Sequence, residues 1–499
     1  MPHFILTHRR AGKREDHQHH AARAAMSDAM DKHVDRLASE VRTHEPHHDT
    51  ARHVARFEAD HDEVRAIDWH PELICEPLVP HFIRSRHASD TGRALPHELA
   101  IPLRREGADR LVVHVVDEAG LPVADVDVFA YFGTASKRVQ AATRTDVDGI
   151  ATLDHDPERP LLELAVAPAS RWWPQVVDHR VGESLETRIE VRLEPLPPSV
   201  RGLGWWHREV GLDAVDLQRG KGIAVGVVDS GLGHHPALAH VNNLGAFLDG
   251  AHLVDGGDDR GHGTHVAGAI GARPTTDSDY AGLAPGARLD AFRVFGPDGS
   301  AHQGDIARAL DVLVHDRGCH LVNLSLGTVT RSEVVADALL DAVETGTLVI
   351  CAAGNTAGPV EFPAALEEAV AVTALGRLDQ APVGTLSAHR IPEDTRLRAD
   401  PVFIANFSCR GEPVDVAGPG VGIISTVPGG GWAAYGGTSM AAPQVTGALA
   451  ALLADDPDYL ALPANETRSS HARAVLRQHS RDLGLDRIYQ GYGHLRRSP

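Results

Sequence analysis

The chain has 499 residues, an ordinary apolar content of 42% and a formal net charge of -20, enough for a large folded core and two or three domains. The acidic balance excludes general binding to nucleic acid or anionic membranes and favours basic ligands. No apolar stretch is long enough to span a bilayer, and in residues 1–20 Phe4-Ile5-Leu6 is the only apolar run, so no secretory signal is expected.

The first hundred residues hold 15 of the 32 histidines, clustered at His17, His19 and His20 and at His44, His47 and His48. Such clusters bind zinc or titrate near neutrality, but this spacing matches no metal motif, so a solvated polar arm is expected. Within it Met26, Met30, Val34, Leu37 and Val41 fall on one stripe of a helix over about 21–41. That stripe needs a cover, expected from the same chain, with a second copy or a regulatory partner as alternatives. Residues 1–105 are assigned to this histidine-rich, partly helical region.

Residues 106–195 carry short alternating runs at 111–116, 126–132, 150–153, 161–166 and 189–193. Turn signals such as Glu118-Ala119-Gly120 and Asp146-Val147-Asp148-Gly149 separate them. This is the pattern of a small β-sandwich. The Gly120-Leu121-Pro122-Val123 turn and the Thr145 to Gly149 hairpin are similar to carboxypeptidase regulatory-like modules. Such a module implies no chemistry of its own; it stiffens the chain, presents a substrate, docks a partner or serves as a passive spacer. The extended linker Glu194-Pro195-Leu196-Pro197-Pro198 then marks a boundary to a third region, 200–499.

In that region the runs 223–228, 289–295, 320–326 and 348–352 are short and β-branched enough for buried parallel strands. Between them 304–315 and 332–343 carry helical spacing, with Ile306, Leu310, Leu313 and Val314 on one face. The alternation predicts an α/β layer, a parallel sheet with helices on both faces and ligands at the carboxyl ends of its strands. A further helix is expected at 471–483. Cys75, Cys319, Cys351 and Cys409 are few and widely spaced, so they are taken as small hydrophobes in a reducing setting, and a cytoplasmic location is expected.

Four short blocks carry chemistry. Val225-Gly226-Val227-Val228-Asp229-Ser230-Gly231 is a strand ending in a carboxylate, where an acid can orient a histidine; alone, it is an Asx turn. Gly261-His262-Gly263-Thr264-His265 can seat an imidazole among small residues; alone, it is a helix entry or a metal pair. A buried strand ends at Ala352-Ala353-Gly354-Asn355, whose amide can donate to a developing oxyanion. Gly436-Gly437-Thr438-Ser439-Met440-Ala441-Ala442-Pro443 displays one serine at a tight turn, and a serine hydroxyl needs such display beside a base to act as a nucleophile.

The order Asp, His, Ser with these motifs resembles the subtilisin family of serine proteases (subtilases, peptidase S8 type) over about 205–453. The resemblance implies a triad of Asp229, His262 and Ser439, with Asn355 and the Ser439 backbone amide as the oxyanion hole. It implies that Ser325, Leu326 and Gly327 pair with an extended protein or peptide substrate. Ala352, Ala353 and Gly354 would line the pocket before the cleaved bond, and their small size suggests room for a sizeable apolar side chain. Endopeptidase hydrolysis with no required cofactor is expected.

Three points depart from the family pattern. Gln444 stands where many members have histidine. The 272–279 loop does not reproduce the family's calcium loop; Asp277 and Asp279 could hold a hard cation, but a solvated turn is expected. Secreted relatives carry an inhibitory propeptide directly before the catalytic domain, whereas the sandwich occupies that place here. An inhibitory segment would have to come from the first hundred residues, where no motif identifies one. The alternatives are a latent processing or defence protease released by a partner, and an inactive protease-fold scaffold, whose sign would be a missing triad residue.

Overall fold

The computed structural model describes residues 3–9, 42–44, 54–59, 64, 73–83 and 109–497, apart from 135–136, 157 and 179–187. The helix expected over 21–41 and most of the histidine clusters lie outside these residues. Apart from the helical Val64, the elements described in the first hundred residues are β-strands. Strands β1 (His3–His8), β2 (Arg42–His44), β3 (Val54–Glu58) and β4 (Leu73–Pro77) form an antiparallel sheet in the order β2-β3-β1-β4, and β5 (Pro80–Ile83) leaves it. One face of the sheet closes a small core of Phe4, Leu6, Ala55, Phe57 and Leu73, while Ile5, Val54 and Ile74 on the other face join the core of the large domain. That division follows from the two-residue period of a strand.

Residues 109–192 form two sheets. One contains β6 (Asp109–Val116), β9 (Ile150–His155) and β12 (Arg188–Arg192). The other contains β7 (Asp127–Thr134), β8 (Lys137–Arg144), β10 (Leu161–Ala167) and β11 (Gln175–Asp178). Inward residues of both, including Leu111, Val113, Val128, Phe132, Leu153 and Leu164, share one core. The unit is not loosely strung. Trp173, just before β11, is 4% exposed and belongs to the core of the large domain. Val176 N donates to Gly384 O at 2.9 Å, and Leu386 N to Pro174 O at 2.8 Å. Leu386 packs with Phe129, Tyr131 and Val176 on the outer face of the second sheet.

The large domain begins with a short helix, α1 (Trp205–Glu209), and is built on a sheet of mainly parallel strands. Its centre runs β14 (Asn242–Leu248), β16 (Arg288–Arg293), β13 (Ala224–Asp229), β18 (Leu321–Leu324), β20 (Leu348–Ala352), β21 (Ala369–Arg377), β24 (Val414–Pro419). Along β13, Val225 and Val227 face a core shared with helices α2 (His262–Gly271) and α5 (Thr438–Ala454), while Ala224 and Val228 face α3 (Gln303–Asp311) and α4 (Glu333–Glu344). Every residue of β13 and β20 is buried, as expected for central strands covered on both sides. Among the described residues no helix is long and apolar enough to cross a membrane. All four cysteines are unpaired, and burial pushes the Cys319 thiol up to about 12 and that of Cys351 higher still, so both are neutral packing groups.

Candidate active site

Asp229 is the last residue of β13 and His262 the first of α2, and His262 Nδ1 bonds Asp229 Oδ1 at 2.6 Å with both side chains buried. The helix reaches the strand end because position 263 is glycine: a Cβ there would lie 2.2 Å from Gly231 O. Asp258, which the sequence did not single out, fixes the junction. One of its oxygens accepts from Ser230 Oγ (2.9 Å) and Gly261 N (2.9 Å), the other from Thr264 N (2.9 Å) and Thr264 Oγ1 (2.6 Å). Ser230 Oγ in turn accepts from Gly263 N at 2.8 Å. A carboxylate that accepts the first free N–H groups of a helix both caps it and complements its dipole.

The two histidines of this block have separate tasks. His265 Nε2 lies 3.0 Å from Ile423 O and 3.2 Å from Ala433 O, with its ring stacked 4.3 Å from that of Tyr435. These contacts tie α2 to the hairpin of β25 (Ile423–Val427) and β26 (Gly431–Tyr435), which leads into the serine turn. A metal pair with His262 is therefore not formed.

Ser439 is the second residue of α5 and is 0% exposed, as His262 is 1%. Ser439 Oγ donates to Ser325 O at 2.9 Å, and His262 Nε2 has no hydrogen-bond partner among the described residues. The structure thus joins Asp229 to His262 and brings Ser439 to the 325–327 segment, without a serine–histidine hydrogen bond. Ser325 Oγ returns a bond to Ser439 O (2.9 Å) and accepts from Asn323 Nδ2 (2.9 Å), while Thr446 Oγ1 on α5 donates to Asn323 Oδ1 (3.2 Å). Asn323 and Thr446 are positioning residues that no motif announced.

Asn355 follows β20 and is buried. Its Oδ1 accepts from Thr438 N (3.0 Å) and Thr438 Oγ1 (2.9 Å), and Thr438 Oγ1 accepts from Gly354 N (3.1 Å). The two bonds to Thr438 orient the amide, whose nitrogen is its donor end, beside the serine turn.

The 325–327 segment is already paired. β19 (Leu326–Gly327) and β17 (Ser300–His302) hold β5 between them in antiparallel register, with Ile83 opposite Leu326, Phe82 opposite Gly327 and His81 opposite Ala301. His81 is fully buried, its ring 5.9 Å from that of Phe362. Glu76, at the end of β4, caps α4: Ser332 Oγ donates to Glu76 Oε1 (2.5 Å) and Glu333 N to Glu76 Oε2 (2.7 Å). Gln303 at the start of α3 holds the connecting turn, accepting from Val79 N (2.9 Å) and donating to Pro77 O (2.8 Å). The segment expected to receive a substrate strand thus carries a strand of the chain itself.

The 272–279 loop does not converge oxygens on a cation. Asp279 Oδ2 accepts from Thr275 N (2.8 Å), Thr275 Oγ1 (2.7 Å) and Thr276 N (2.9 Å), which closes a local turn. Among the described residues Asp311, His315 and Asp341 bring three potential ligand atoms within 4.8 Å of one another, and His315 Nε2 lies 2.7 Å from Asp341 Oδ2.

Comparison with known proteins agrees with this architecture. The family model described as the subtilase family matches residues 220–494. The chain is 36% identical over 241 residues to Subtilisin Savinase of Lederbergia lenta, a match covering 48% of this chain and 79% of that protein. It is equally similar to an alkaline protease of Alkalihalobacillus alcalophilus, of whose length it spans 56%. The minor extracellular protease Epr of Bacillus subtilis is 32% identical over 279 residues, 55% of this chain and 37% of that protein. Among solved structures, the S41 psychrophilic protease superposes with a TM-score of 0.50 at 30% identity, covering 59% of this chain and 98% of that one. The matched residues take in Asp229, His262, Asn355 and Ser439 but none of the N-terminal sheet or the two-sheet unit. The chain belongs to the subtilase family of serine-type endopeptidases.

Proposed function

We propose that the chain hydrolyses internal peptide bonds of proteins, with Ser439 as nucleophile, His262 as general base and Asp229 as the group that orients the imidazole. The observation that carries the proposal is the 2.6 Å contact between His262 Nδ1 and Asp229 Oδ1, which leaves Nε2 as the nitrogen for proton transfer. In the reaction Ser439 Oγ exchanges its bond to Ser325 O for one to that nitrogen. Oγ then attacks the scissile carbonyl while its proton passes to Nε2. The oxyanion is met by Asn355 Nδ2 and the Ser439 amide. His262 protonates the leaving amine, and water, activated by the same nitrogen, releases the acyl group.

A second reading, that the full chain is latent, is supported by β5. A substrate recognised by main-chain pairing needs the edges of β17 and β19, and β5 uses both. Activity then requires the N-terminal sheet to leave, on its own or through a partner. The regulatory partner and the protein substrate belong to this proposal.

The test is cleavage of an unfolded protein by the full-length chain beside Ser439→Ala, with circular dichroism confirming that both are folded. Cleavage by the wild type that disappears in the variant is expected, and cleavage that survives in Ser439→Ala would overturn the nucleophile. Asn355→Ala should lower kcat about a hundred- to a thousandfold with little change in KM; that magnitude is subtilisin's own and is carried over from it.

A further inference from the structure

The 352–354 wall, expected to line a pocket for an apolar side chain, has an acidic residue, Glu361, packed against it. One wall continues from β19 to Thr328, and the other is Ala352-Ala353-Gly354. A single short segment closes the space between them. Glu361 N donates to Ala353 O at 2.9 Å on one side, and Phe362 exchanges two backbone hydrogen bonds with Thr328 on the other, at 2.8 and 3.0 Å. The side chain of Glu361 reaches from that bridge to Gly354. A Cβ built on Gly354 would meet Glu361 Cδ at 2.6 Å and Cγ at 2.8 Å, so the carboxyl group lies against the glycine of the pocket wall and occupies room that any other residue at 354 would fill. Glu361 is 4% exposed, and Thr356 Oγ1 donates to its Oε1 at 3.2 Å, fixing the carboxyl group. Cys409 Sγ lies 4.0 Å from the same oxygen.

We infer that Glu361 makes this subtilase select a basic residue, arginine or lysine, immediately before the cleaved bond. The inference rests on the proposed roles of Ser439 and of the 352–354 wall. A carboxylate enclosed by apolar and small residues interacts with a cation far more strongly than one in water, because the screening solvent is excluded. An arginine side chain is long enough to place its guanidinium at the pocket floor and can engage a carboxylate with two parallel N–H donors. An apolar side chain in the same pocket would bring no counter-charge to the buried carboxylate, so it is rejected as well as less attracted. The -20 charge of the chain acts in the same direction, drawing basic segments toward the protein.

The chain's own sequence fits this selection. The strand held between β17 and β19 ends at Ile83, and the next residue in the sequence is Arg84.

The deciding measurement is kcat/KM of the full-length chain on peptides that differ only in arginine, lysine, phenylalanine or leucine before the scissile bond. Wild type, Glu361→Gln, Glu361→Ala and Ser439→Ala are compared. Glu76→Ala, in which the docking of β5 is weakened, is profiled in parallel, so that latency does not hide the preference. The arginine-to-phenylalanine ratio should exceed about tenfold in the wild type and fall by about tenfold or more in Glu361→Gln, which keeps the size and an acceptor but loses the charge. Mass spectrometry of any self-processed chain should find new ends after arginine or lysine, with Arg84 the first position to inspect. A wild-type preference for phenylalanine or leucine overturns the assignment, as does an arginine preference unchanged in Glu361→Gln. Peptide cleavage that survives Ser439→Ala, or its absence in every chain, would instead overturn the proposed endopeptidase reading.

Discussion

Ser332 Oγ lies 2.5 Å from Glu76 Oε1, a contact between residues 256 positions apart that joins the N-terminal sheet to the first turn of α4. The Glu333 amide adds a second bond to the same carboxylate, at 2.7 Å. Hydrogen bonds to a charged group at a helix N-terminus contribute about 1.5–3 kcal/mol. Glu76→Ala should therefore raise the fraction of full-length chains with β5 undocked by roughly tenfold or more. The check is the initial rate on a fluorogenic protein substrate, which should rise in the variant; an unchanged or lower rate would separate this contact from latency.

Asp258 should matter nearly as much as the residues it seats. It receives bonds from Ser230, Gly261 and Thr264, which together lock the start of α2 onto the end of β13. Asp258→Ala leaves several buried donors without an acceptor, at a cost of about 2–4 kcal/mol in stability. It also frees His262 from its alignment with Asp229. We expect a lower denaturation midpoint and, on the folded protein, a drop in kcat larger than any change in KM. A fall in stability without a kinetic effect would show that Asp258 caps the helix and nothing more.

What could be foreseen tracks the range over which each signal acts. Asp229, His262, Asn355 and Ser439 were singled out as candidates because each sits in a short block whose glycines and strand end are adjacent in sequence. Asp258 and Asn323 were not, since their partners gather only after folding: Thr446 lies 123 positions from Asn323. The 1–105 region was expected as a polar helical arm because its histidines and charges outweigh short runs such as Phe4-Ile5-Leu6 and Leu73-Ile74-Cys75. Those runs are strands, with Phe4, Leu6 and Leu73 sharing one core. Glu361 was not foreseen as a neighbour of this wall for the same reason: the small residues 352–354 are contiguous, while the side chain against Gly354 arrives from Glu361 through a turn.

The two-sheet unit should unfold together with the large domain. Trp173 inserts into the large domain's core, where a Cβ on Gly422 would come within 3.2 Å of its ring. Removing a buried indole costs about 3–5 kcal/mol. Trp173→Ala should therefore split one denaturant transition into two, as the 109–192 sheets lose their anchor. Retention of a single transition with an unchanged midpoint would mean that the 384–386 contacts suffice.

Asp305 gives the protein a pH dependence of defined sign. Its side chain, in the first turn of α3, is 2% exposed, and burial raises its pKa to about 7 despite the Gly250 amide, which donates to Oδ1 at 2.8 Å. In the unfolded chain the same group titrates near its ordinary value of about 4. Between these values the folded state holds a proton that the unfolded state has lost, so stability falls as pH rises. The contribution is fully present below about pH 4 and is lost as pH passes through about 7. Asp305→Asn keeps an acceptor for the Gly250 amide and cannot ionise. Its Tm should decline less than that of the wild type between pH 4 and 8, with the difference widening toward pH 8. Parallel curves for the two proteins over that range would mean that Asp305 ionises in the folded state as easily as in the unfolded one, and that burial at α3 is not what governs it.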